Sequence, residues 1–133
     1  MVLHDLPVIE PLAKVLPNLL TEGGIFIFSV PHPCFNMGEV TLNFFADEAD
    51  VRRTTYIKEV NIEMKSKPNQ PVSQYCFHRP LSNLLNCFFS NGLLLSRIIE
   101  PTISQLDFDL GHLDLDWKYL PEIPPALICK MII

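Results

Sequence analysis

Apolar positions along the chain change their period several times, and each change marks an element. Val8, Leu12, Val15, Leu16, Leu19 and Leu20 recur at helical spacing, which predicts an amphipathic helix over 7–21. Asp5 stands in its cap region and Pro7 near its first turn. Pro17 is expected to kink or end it, because proline lacks an amide hydrogen and its ring meets the preceding turn. Gly23-Gly24 closes the segment. Residues 25–30 are then apolar apart from Ser29, a run suited to a parallel strand buried on both faces. Alternating, β-rich pieces follow at 40–45 and 54–64, set among charged and Pro/Asn-rich turns. They predict a β-rich insertion or lid over 36–75 with one wet face.

Leu81, Leu84, Leu85 and Phe88 share one face of a second predicted helix over 80–89, with Asn91-Gly92 suited to its C-terminal cap. A second apolar strand over 93–99 ends at Glu100-Pro101. An acidic, irregular stretch over 102–120 follows, and Pro124-Pro125 introduces a third apolar strand over 126–133. The order helix, strand, β-rich insert, helix, strand, loop, strand favours a single α/β domain, 1–133, with a three-layer sheet. The last two strands are joined without a crossover helix, so an antiparallel pair is expected.

Composition narrows the picture. The 133 residues suffice for one domain with a real core, 48% being hydrophobic and only 19% charged. A net charge of −5 and no basic cluster beyond Arg52-Arg53 argue against a nucleic-acid partner. No apolar run approaches the ~20 residues of a membrane span, and the N-terminal segment does not read as a signal peptide, so a cytoplasmic location and no membrane partner are expected. Cys34, Cys76, Cys87 and Cys129 form no C-x-x-C pair and read as free thiols. Asp107, Asp109, Asp114 and Asp116 lack the glycine and terminal glutamate of a calcium loop, and no metal site is expected.

Several pieces carry a resemblance. They are residues 1–6 (Met-Val-Leu-His-Asp-Leu), the leucine-rich helix running into Gly23-Gly24 and the strand at 25–30, and His32-Pro33-Cys34-Phe35. Further along come His78-Arg79-Pro80-Leu81-Ser82, Gly92 with the strand ending in Glu100-Pro101, and the closing Pro125-Ala126-Leu127-Ile128. In that order the chain resembles, nearly end to end, the C-terminal half of a class I S-adenosylmethionine-dependent methyltransferase of the type 11 group. The resemblance implies a partial Rossmann-like sheet. Strand 25–30 would be the fifth of seven and strand 93–99 the sixth, with strand 126–133 inserted antiparallel between them as the seventh. It implies S-adenosylmethionine as cofactor, with Leu3 and His4 on the donor side. A small-molecule acceptor would lie near Pro33, Phe35, Arg79 and Glu100, and His32 and His78 would be the catalytic candidates. Residues 36–75 would cap the acceptor. One departure is large: none of the five glycines forms a G-x-G loop between a strand and a helix, the element that grips the methyl donor.

The candidate residues admit two readings each. His32, held between two prolines at a strand's end, either orients the acceptor and takes a proton or bonds backbone to close the strand. The Arg79 fork either meets an anionic acceptor or pairs with an acid such as Glu100 to fasten the helix start. Glu100 is an acceptor-site base or a salt-bridged carboxylate. His4 lies beside the donor or is a terminal, capping residue. Three functions follow. One is a methyltransferase acting by proximity and orientation, present through its acceptor-side half. A second is a non-catalytic module that dimerises, or complements a missing N-terminal half, through an open sheet edge. The third is a fragment without an independent role.

Overall fold

A computed structural model describes residues 2–35, 56–64, 71–102 and 124–133. The expected strand over 40–45, the acidic loop beyond residue 102 and much of the 36–75 insertion lie outside these residues. The described elements are α1 (Glu10–Leu19), β1 (Ile25–Pro31), β2 (Val60–Met64), β3 (Gln74–His78), α2 (Leu81–Phe89), β4 (Leu94–Ile99) and β5 (Ala126–Ile132).

Helix α1 is shorter than its apolar period suggested. It begins after Ile9, whose amide donates to the Glu10 carboxylate at 3.1 Å. Asp5 does not cap it: its own amide closes a turn onto the Val2 carbonyl at 2.9 Å, and its carboxylate faces His4. Pro11 sits in the first turn, where a missing amide hydrogen is tolerated. Pro17 does not end the helix, which runs on to Leu19 and closes with Leu20 N–H on the Leu16 carbonyl at 3.0 Å. Burial of Ala13 and Leu16 on the inner face offsets the lost proline hydrogen bond. The turn into β1 requires both glycines. Gly23 has φ +71°, and a Cβ on Gly24 would lie 2.7 Å from the Thr21 carbonyl oxygen.

β5 lies between β1 and β4 and is antiparallel to both, so β1 and β4 run parallel to each other. The register pairs Phe28 with Cys129 and Ile98 with Cys129 across the sheet, with a bulge between Leu95 and Arg97 on β4. Inward residues alternate with outward ones. Phe28, Val30, Leu127, Cys129 and Met131 join Ala13, Leu16, Leu84 and Phe88 in one core under the two helices. The rings of Phe26, Phe28 and Phe88 pack mutually at 5.4–5.6 Å between centroids.

The expectation that the first strand is buried on both faces is corrected. Ile25 and Ile27 are 51% and 61% exposed, and Leu94 and Ile99 on β4 share that open outer face. The described helices cover the other face. A separate hairpin-like pair, β2 with β3, is the described part of the insertion, and it extends three residues past the expected boundary at residue 75, to His78.

Candidate functional site

The parallel strands β1 and β4 end at the same edge of the sheet, on either side of the start of β5, and each hands its next residues to one cluster. His32 follows β1 and is 2% exposed; Glu100 follows β4 and is half-exposed. The His32 amide donates to the Pro125 carbonyl at 3.0 Å, which extends the β1–β5 pairing by a step and fixes the backbone beneath the ring. The Cys34 amide donates to His32 Nδ1 at 3.2 Å, so that nitrogen carries no proton. Nε2–H therefore donates to Glu100 Oε1 at 2.7 Å. Both ring nitrogens are engaged, Phe35 packs on the imidazole at 4.7 Å, and Pro33 is buried beside it. Buried His32 thus orients the accessible carboxylate of Glu100 across the carboxyl ends of two parallel strands.

A second cluster adjoins the first through Cys34. Its thiol neighbours the Tyr56 hydroxyl, and burial, ahead of that thiol, pushes the phenol above its ordinary range. The Tyr56 hydroxyl accepts the Leu81 amide at 3.0 Å, and the Tyr56 carbonyl accepts from His78 Nε2 at 2.8 Å. That bond sets the His78 tautomer with its lone pair on Nδ1. The two candidate histidines are therefore bridged by Cys34 and Tyr56. Tyr56 was not singled out from sequence; it stands inside an insertion with no motif around it. An aromatic among alternating strand residues is the only signal it offered.

Arg79 does not pair with Glu100. Its Nη2 donates to the Leu6 and Pro7 carbonyls at 2.7 and 2.8 Å, and Nη1 to those of Leu3 and Phe77 at 3.3 and 3.4 Å. The fork ties the N-terminal segment to β3 through main-chain carbonyls, and the Arg79 side chain also lines a cleft with Glu10, Lys14 and Asn83. His4 bonds Asp5 at 3.1 Å, and desolvation by burial is the main reason its pKa lies below the ordinary value. The Leu3 side chain lies in the core.

These residues do not build a pocket for S-adenosylmethionine. The Leu3 side chain is packed away, the Leu3 and His4 carbonyls are taken by Arg79 and the Phe77 amide, and the glycine pair precedes a strand instead of opening a helix. Among the described residues no helix is long and apolar enough to cross a membrane.

No family model matches the sequence, and no curated protein matches it either. Solved structures do. A protein from Listeria monocytogenes assigned as an S-adenosylmethionine-dependent methyltransferase superposes with a TM-score of 0.71 at 21% identity, over 98% of this chain and 57% of its own. An S-adenosylmethionine-dependent methyltransferase from Mesorhizobium loti gives a TM-score of 0.60 at 14% identity, over 100% of this chain and 58% of its own. The α/β architecture, with helices laid on a sheet whose described pairs are antiparallel, is thus shared with S-adenosylmethionine-dependent methyltransferases over a little more than half of their length.

Proposed function

We propose that this chain is the acceptor-side part of an S-adenosylmethionine-dependent methyltransferase that acts on a small molecule. In this reading β1, β5 and β4 correspond to the fifth, seventh and sixth strands of the whole sheet. The observation that carries it is the His32–Glu100 pair at the carboxyl ends of β1 and β4, the place where open α/β sheets bind ligands.

The methyl donor supplies an electrophilic methyl group when bound, and its pocket requires residues that the described part of this chain does not provide. The residues present would hold the nucleophile and manage its proton. His78 suits the role of proton acceptor, because the Tyr56 carbonyl occupies Nε2 and leaves the Nδ1 lone pair available. Glu100, aimed by His32, would bind a hydroxyl or ammonium on the acceptor, with Pro33 and Phe35 forming an apolar wall. His32 is then a positioning residue and not the base, since neither of its nitrogens is free. Arg79 serves the site at one remove, by holding the N-terminal segment.

Amide NMR of the chain titrated with a panel of small alcohols, amines and carboxylic acids tests this reading. Saturable shifts at Cys34, Tyr56, His78 and Glu100 are expected. Saturable binding that maps only elsewhere, for instance to the helix face around Lys14 and Asn83, would contradict it.

A further inference from the structure

Away from the β1–β4 cluster, three ligand-type side chains converge where the N-terminal turn meets β3. A ring nitrogen of His4, a carboxylate oxygen of Asp5 and the sulfur of Cys76 all lie within 4.8 Å of one another. We propose that His4, Asp5 and Cys76 form a binding site for a transition-metal ion of the zinc class. Nothing in the sequence spacing hints at it, because the third ligand comes from β3, far along the chain.

Two observations support the site. The His4 ring is mostly buried, at 20% exposure; its Nε2 lies 3.1 Å from the Asp5 carboxylate, and its Nδ1 has no hydrogen-bond partner among the described residues. The backbone that carries the ligands is tied on both sides of them. The Phe77 amide donates to the His4 carbonyl at 2.6 Å, next to Cys76, and Arg79 holds the Leu3 and Leu6 carbonyls that flank His4 and Asp5.

The donor set selects the metal. One nitrogen, one oxygen and one sulfur suit zinc, cobalt or cadmium and not magnesium or calcium, which prefer oxygen alone. Zinc bonds of about 2.0–2.3 Å place tetrahedral ligands about 3.3–3.8 Å apart, so side-chain rotation of up to about 1 Å closes the site. Binding converts the Cys76 thiol to a thiolate, and its proton passes to solvent. The Gln74 amide lies 3.9 Å from that sulfur and would donate to it from outside the ligand set. Three protein ligands leave a fourth position for water.

Titration of the metal-free chain with cobalt(II) tests the assignment. A thiolate-to-cobalt charge-transfer band saturating at one ion per chain is expected. Cys76→Ser should abolish it, Cys87→Ser should keep it, and Asp5→Asn should weaken cobalt binding about tenfold or more. No band, or a band that survives Cys76→Ser, overturns the site. Should Cys76→Ser fail to fold, His4→Gln decides. Zinc should raise the melting temperature of the parent chain and not of that variant; an equal rise in both, or none in either, overturns the proposal.

Discussion

Arg79 joins two segments through one side chain, since its guanidinium reaches four carbonyls on the N-terminal segment and β3. Hydrogen bonds to a charged group contribute about 1.5–3 kcal/mol each when well formed, and two of these four are short. Arg79→Ala should therefore cost about 2–4 kcal/mol in urea unfolding, and Arg79→Lys should recover little, because an ammonium cannot span the fork. A loss under about 0.5 kcal/mol would mean that the clamp is ornamental. Cys129 gives a second test at this scale. Burial raises its thiol from the ordinary value of 9.0 to about 11. The folded chain then binds more protons than the unfolded chain between those values. Stability should fall as pH rises from 9.0 toward about 11 and be unaffected by this group below that window. Cys129→Ala should flatten that part of the profile, measured as the unfolding midpoint against pH. Sequence marked Arg79 as a bearer of planar donors but could not say whose acceptors it meets. Main-chain carbonyls carry no signature, and those of Leu3, Leu6 and Pro7 lie more than 70 positions away. The same limit hid Tyr56, whose hydrogen-bond partners are the Leu81 amide and the His78 imidazole, more than 20 positions away.

At the scale of elements, α2 shows how the insertion supports the domain. Its N-cap residue is Pro80, which has no side-chain oxygen, and the cap is supplied from outside by the Tyr56 hydroxyl on the Leu81 amide. Tyr56→Phe should cost about 1 kcal/mol and speed hydrogen exchange at the Leu81 amide, a change that a merely superficial tyrosine would not produce. At its other end Asn91 donates to the Cys87 carbonyl at 2.8 Å and Gly92 takes φ +88°, the closing chemistry that Asn91-Gly92 suggested. Helices and strands with a clean apolar period were legible in this way. The ends were less so. Pro17 lies inside α1, because the apolar contacts of Ala13 and Leu16 hold the helix together across the missing bond. A continuous apolar strand also says nothing about who covers it. β1 reads as doubly buried, yet the described helices pack on the Phe28 and Val30 side, leaving Ile25 and Ile27 in the open.

At the scale of the molecule, the described residues combine a tied cluster at the carboxyl end of two parallel strands with no donor cradle among them. The two structural relatives share its architecture and extend well beyond it, the chain spanning 57% and 58% of their lengths. On the proposed reading these 133 residues carry acceptor-side chemistry and not the grip on the methyl donor. The decisive experiment is calorimetric titration of the chain with S-adenosylmethionine. No saturable heat is expected at donor concentrations up to about 1 mM, equivalent to a binding free energy weaker than about −4 kcal/mol. Stoichiometric binding at micromolar concentration, abolished by substitution at His4 or His32, would contradict it.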